Sequence, residues 1–172
     1  MKFTIQKPDN LTEDFEIVSG TPEEIFSNDR DKAAICKIWR ELIASENDYR
    51  VKYGMKYKSD FGDDNLIVEG MVKLGGKLYL VRDHNGDVIG IAIVRDTQFK
   101  NLYNISDVSI TEEHRGKGIG KVLMQTIMEE NVPAVPSLTV ELDNTHAVDL
   151  YRSLGFVEYG LKMVLGQTEE QK

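Results

Sequence analysis

The sequence predicts an α/β fold built on a mixed sheet, on three observations. The stretch KLYLVRDHNGDVIGIAIVRD (Lys77–Asp96) sets two β-rich runs around Asn85-Gly86. That pair suits a tight hairpin turn, whose central positions need positive φ. The run LYNISDVSI (Leu102–Ile110) leads through a glycine-rich stretch into a helical stripe of Ile119, Val122, Leu123, Thr126 and Ile127. Downstream, SLTVEL (Ser137–Leu142) leads into a second stripe, Ala147, Leu150, Tyr151 and Leu154. A hairpin requires antiparallel pairing, whereas strand–helix–strand units favour parallel pairing, so one sheet must hold both.

In chain order, residues 1–14 mix polar and apolar positions and read as an N-terminal extension. FEIVSG (Phe15–Gly20) reads as a short strand. Thr21-Pro22-Glu23-Glu24 then carries a cap residue, a proline at the first helical position and acids in the first turn. Ser27–Asp31 interrupts with a polar patch, and Ile35, Ile38, Trp39, Leu42 and Ile43 form one face of an amphipathic helix. Glu46–Asp64 is polar and aromatic and reads as a loop with partial helix. Asn65–Leu74 reads as a helix with Ile67, Met71 and Leu74 on one side, ended by Gly75-Gly76. The hairpin and the two strand–helix units follow, broken by Pro133 and Pro136. FVEYGLKMVL (Phe156–Leu165) closes the chain as one or two strands.

The 172 residues suit one compact domain spanning 1–172. A single cysteine, Cys36, excludes an internal disulfide and reads as a buried, inert thiol. The formal net charge of −8 argues against a general nucleic-acid binder, which needs a basic face. No apolar stretch approaches the roughly 18 residues of a membrane span, and no signal peptide is evident, so the cytoplasm is the expected compartment. The three histidines, His84, His114 and His146, have no partners at metal-ligand spacing, and no metal is expected.

HRGKGIGKV (His114–Val122) concentrates Gly116, Gly118 and Gly120 where a helix begins, although glycine is a poor helix former. The first amides of a helix lack internal partners, the helix dipole adds positive potential, and glycines admit a ligand close to the backbone. Arg115 and Lys117 add charge. The combination suits a phosphate. Two familiar phosphate patterns fail: the glycine spacing is G-x-G-x-G rather than G-x-G-x-x-G, and Arg115 and Val122 stand where a Walker loop needs glycine and Ser or Thr.

What does match is R-x-x-G-x-G at Arg115, Gly118 and Gly120. There the sequence resembles the GNAT superfamily of N-acetyltransferases, whose acyl-coenzyme A motif VSITEEHRGKGIGKVLM (Val108–Met124) is similar to. ELDNTHAVDLYRSLGF (Glu141–Phe156) is similar to the family's next strand and helix. The resemblance runs over Phe15–Leu165, most specifically from Gly86 onward. It implies a mixed, mostly antiparallel sheet of about six or seven strands flanked by about four helices.

It also implies acetyl-CoA as cosubstrate, with its pyrophosphate on Arg115, Gly116, Lys117, Gly118, Ile119 and Gly120 and its pantetheine arm along the backbone of Val108 and Ile110. The Val108 amide takes the role of oxyanion donor. Asn144 matches a second cofactor contact; its other reading is a helix N-cap, and both roles are open. Tyr151 matches the tyrosine that protonates the leaving thiolate and contacts the cofactor; its other reading is packing in the apolar stripe. Asp107 and Glu141, on the strands where relatives place a base, are the two candidates for that role. Glu46 and Asp48 lie where the family builds its acceptor site, and a solvated charge cluster explains them as well. Tyr49, Tyr53, Tyr57 and Phe61 suit either an acceptor pocket or the core. The implied reaction is direct acetyl transfer to a primary amine of a small molecule or peptide in a ternary complex. A non-catalytic acyl-CoA sensor of the same fold is the alternative. A homodimer is compatible with the resemblance, and no nucleic acid or membrane partner is expected.

Overall fold

A computed structural model of the chain describes residues 1–6, 12–52 and 62–160. Tyr53, Tyr57 and Phe61, and the closing run from Leu161, lie outside the described residues, as does the side chain of Tyr49. The chain divides into two compact units, Met1–Trp39 with Phe61–Thr139, and Arg40–Asp60 with Val140–Lys172.

The first unit contains a six-stranded sheet in chain order: β1 (Lys2–Gln6), β2 (Thr12–Gly20), β3 (Lys77–Asp83), β4 (Val88–Asp96), β5 (Leu102–Ile110) and β6 (Val135–Leu138). β1 to β5 pair antiparallel, and β6 joins β5 in parallel, so the sheet is mixed, as the sequence predicts. The α-helices among the described residues are α1 (Pro22–Ile25), α2 (Asp29–Lys52), α3 (Asp64–Leu74), α4 (Ile119–Glu130) and α5 (Thr145–Ser153).

The N-terminal extension is corrected to a hairpin. β1 lies along β2 with Phe3 opposite Phe15 and their rings stacked 5.4 Å apart, and the N-terminal ammonium donates to the Ile17 carbonyl at 2.6 Å. α1 carries the expected cap at Thr21 and extends it to a capping box: Glu24 N–H donates to Thr21 Oγ1, and Thr21 N–H to Glu24 Oε2. α2 begins at Asp29, inside the patch read as an interruption, and runs on to Lys52 through part of the expected loop.

Alternation along β3 and β4 sends Leu78, Leu80, Ile91 and Ile93 to one face, where they form a core with Ile35, Cys36 and Ile38 of α2 and Ile67 and Met71 of α3. Cys36 is fully buried there, an apolar role as expected. Arg82 and buried Asp31 close a bidentate ion pair at 2.7 and 2.6 Å between β3 and the first turn of α2. α4 packs on β5, burying Ile119, Leu123, Met124 and Ile127, and Asn131 beyond its end donates to the Tyr79 hydroxyl at 3.1 Å.

Candidate functional site

β5 changes character along its length. From Leu102 to Ile105 it pairs with β4 on one edge and with β6 on the other, Leu102 opposite Val135 and Ile105 opposite Leu138. Beyond Ile105 the parallel pairing stops, while β4 continues to Ile110. A bulge marks the change: Ile93 faces Asp107 and Val94 faces Ile105, leaving Ser106 as the extra residue.

Thr111 N–H donates to Ile89 C=O at 2.9 Å. Alternation from that pair turns the amides of Ser109 and Asp107 toward β4 and those of Val108 and Ile110 toward the open edge. The Ile110 carbonyl on that edge accepts from Arg115 Nε at 2.8 Å, so it is already occupied; the Val108 amide and carbonyl meet no strand among the described residues.

The chain then passes through a 3₁₀ turn (Glu112–His114) into the glycine stretch. Gly116 (φ 73°) and Gly118 (φ 84°) both take left-handed backbone, and Gly118 is the N-cap of α4. Only glycine adopts this conformation without strain. The Gly118 carbonyl accepts from Lys121 and Val122, which starts the helix. The amides of Gly118, Ile119 and Gly120 find no acceptor among the described residues. Successive amides around left-handed glycines have the geometry that can receive an anion, with the helix dipole behind them. Gly116 and Gly118 are exposed, so the loop is open to a ligand.

Cross-strand partners share a face. Asp107, opposite Ile93, therefore lies on the α2/α3 face, and Val108, opposite Ala92, on the α4 face. Ser106 Oγ donates to Asp107 Oδ2 at 2.6 Å, and Arg95 Nη2 stands 3.9 Å from the same oxygen.

The second unit carries the remaining candidates. Asn144 is the N-cap of α5, its Oδ1 accepting from Ala147 N–H at 3.3 Å, so the capping role holds. Tyr151 sits two residues before the end of α5. Phe156 N–H donates to its carbonyl and Gly155 N–H to that of Arg152, a Schellman closure with Gly155 at φ 91°. The rings of Tyr151 and Phe156 meet at 5.8 Å, and burial pushes the Tyr151 phenol above its ordinary pKa. Glu141 is corrected: it lies beyond β6, in a turn where its carbonyl accepts from Asn144 N–H, because the strand expected over Ser137–Leu142 is shifted to Val135–Leu138. Phe156–Gly160 likewise forms no strand.

A profile of the acetyltransferase (GNAT) family matches residues 38–156. The chain belongs to the GNAT acetyltransferase family. A streptothricin acetyltransferase of Streptomyces lavendulae is 34% identical over 48% of this chain and 46% of its own length. An N-alpha-acetyltransferase of Mycobacterium tuberculosis is 33% identical over 35% of this chain and 38% of its own. The chain thus covers less than half of these curated relatives. Among solved structures, a mutant form of a Bacillus halodurans protein superposes with a TM-score of 0.68 at 16% identity, over 89% of this chain and 99% of that one, which shows the shared fold.

In GNAT terms, the first unit holds the open strand edge and the glycine loop. Sequence reasoning missed Arg95, the residue beside Asp107. The available signal was a charged residue continuing the inward row of Ile91 and Ile93 on β4. Among the described residues no group of three His, Cys, Asp or Glu could hold a metal, and no helix is long and apolar enough to cross a membrane.

Proposed function

We propose that the protein is an acetyl-CoA-dependent N-acetyltransferase that moves an acetyl group to a primary amine of a small molecule or peptide in a ternary complex. The observation that carries this reading is the run of unpartnered amides at Gly118, Ile119 and Gly120, lying just beyond the open edge of β5. A pyrophosphate fits the first and an extended amide-bearing arm the second.

In this reading Gly116, Gly118, Ile119 and Gly120 hold the pyrophosphate by backbone amides, while Arg115 and Lys117 supply charge. Arg115 also fastens the loop to β5 through the Ile110 carbonyl. The Ile110 amide and the Val108 backbone pair with the arm in the manner of an added strand. The Val108 amide donates to the thioester oxygen as negative charge develops there. Asp107 is the carboxylate that meets the acceptor ammonium and takes its proton, directly or through water. Nitrogen then bonds to the acetyl carbon as the carbon–sulfur bond breaks, and the nitrogen gives its second proton to water. Tyr151 gives its proton to the departing thiolate. The motif it occupies supports that role, as does a buried phenol that stays protonated at neutral pH. Asn144 contributes a further cofactor contact in addition to its cap, again on the strength of its motif.

Release of free thiol from acetyl-CoA with a panel of primary amines tests the proposal. The expected outcome is amine-dependent release, cut at least roughly 10-fold in kcat by Tyr151→Phe with acetyl-CoA affinity retained. Binding of acetyl-CoA without release to any amine favours a sensor instead.

A further inference from the structure

Arg95 extends the row of Ile91 and Ile93 on the α2/α3 face of β4, beyond the point where the core closes. Its side chain is only 27% exposed, and its Nε is buried with no hydrogen-bond partner among the described residues. Among the described residues its charged partner is Asp107 (side chain 12% exposed), whose Oδ2 stands 3.9 Å from Nη2, outside hydrogen-bond reach. A buried guanidinium donor left unfilled is costly, and native structures rarely tolerate one without a reason.

Neighbouring segments fix both side chains. Gly75-Gly76, between α3 and β3, runs against Arg95: a Cβ on Gly76 would lie 2.3 Å from the Val94 carbonyl oxygen and 3.2 Å from Arg95 Cγ. The absence of that Cβ lets the turn pin the arginine stem. On β5, Ser106 at the bulge fixes the Asp107 carboxylate at 2.6 Å. Arg82 and Asp31 in the same sheet close bidentate, the stronger arrangement for an arginine and a carboxylate. Arg95 and Asp107 instead present opposite charges side by side. Asp107 also precedes Val108, whose amide faces the open edge.

We propose that Arg95 and Asp107 form the head-group site for a zwitterionic acceptor, an α-amino acid. Its ammonium lies against Asp107 and its carboxylate against Arg95, filling the unused donors in the planar geometry a guanidinium favours. The inference rests on the acetyl-transfer reading and names its substrate class.

The test measures thiol release from acetyl-CoA with the common α-amino acids and, in parallel, with the corresponding decarboxylated amines. Acetyl-CoA binding is measured on the same protein samples. The expected result is at least one amino acid with kcat/KM roughly 100-fold above that of its amine. Arg95→Gln collapses that preference to within about threefold, through KM rather than kcat, and Arg95→Lys restores part of it. Circular dichroism of both variants checks that they fold. Amines used as well as, or instead of, their amino acids overturn the head-group site and leave the acetyltransferase standing. Acetyl-CoA binding without transfer to any amino acid also overturns it. Failure to bind acetyl-CoA overturns the acetyltransferase reading itself.

Discussion

Two glycine-containing loops of the first unit begin from similar sequence chemistry and end differently. In the β3–β4 hairpin, Gly86 takes φ 79° and the loop consumes its own polar groups. Asp83 Oδ1 accepts from the amides of Asn85 and Asp87 at 2.9 Å each, the Asp83 carbonyl accepts from Gly86, and Asp87 pairs with Arg30. Between β5 and α4, Gly116 and Gly118 take similar positive φ values, but among the described residues no carboxylate meets the amides of Gly118, Ile119 and Gly120. Positive φ alone therefore does not mark a site. A loop that fills its own donors serves only as a connection, and one that leaves them unfilled keeps donors available to an anion, as the proposed function requires.

Adding a carboxylate to the unfilled loop is the most severe way to break this contrast. Gly118→Glu puts a β-carbon at φ 84° and a negative charge beside these amides. It is expected to weaken acetyl-CoA binding by at least roughly 100-fold, read by calorimetry, with the fold retained.

Removing the carboxylate from the self-satisfied loop is the converse. Asp83→Ala frees two amides to water and is expected to cost about 1 kcal/mol of stability, measured by denaturant unfolding, with acetyl-CoA affinity unchanged. This contribution depends on pH. Burial pulls the Asp83 carboxyl upward, but hydrogen bonds from Asp87 and Asn85 outweigh it and hold the group below the ordinary carboxylate range. Stability from a depressed carboxyl is present above its unfolded pKa near 4 and is lost as the pH falls through the folded value. The loss below about pH 4 is therefore shallower in Asp83→Ala.

A methyl group sharpens the comparison further. A Cβ on Gly116 meets nothing within 4 Å, so Gly116→Ala pays only for φ 73°, about 1 kcal/mol, with less than about a 10-fold loss of acetyl-CoA affinity. The smallest effect belongs to the half of β5 that is paired on both edges. The Tyr103 hydroxyl is buried without a partner, and burial with the neighbouring Tyr79 pushes its pKa up to about 12. Tyr103→Phe is expected to be neutral or to stabilise by up to about 1 kcal/mol at pH 7. Above pH 10 the unfolded tyrosine ionises before the folded one, so the wild type loses stability between pH 10 and 12 and Tyr103→Phe loses less.

Local chemistry made part of this molecule legible. The Asn85-Gly86 hairpin, the capping box of α1 and the glycine stretch each carry their signal within a few residues. Even there, the hairpin closes through Asp83 and Asp87, which is wider than a two-residue turn. β1 was missed although Phe3 and Ile5 alternate with Lys2, Thr4 and Gln6, because five residues are too short a run to declare a strand alone, and its place comes from pairing with Phe15, twelve residues on from Phe3. Glu141 was misplaced because the strand starts at Val135 and includes Pro136; proline lacks the amide that an inner strand needs, but an outer one tolerates it. The Arg95–Asp107 pair depends on the bulge at Ser106, a register feature that neither strand reveals alone.

The most direct measurement is a titration of the assigned protein with coenzyme A, followed by backbone amide resonances. The account predicts that the amides of Gly118, Ile119 and Gly120 shift together and saturate, while those of Asn85, Gly86 and Asp87 stay in place. Saturable binding that leaves the amides of Gly118–Gly120 unmoved, or no binding at all, would contradict it.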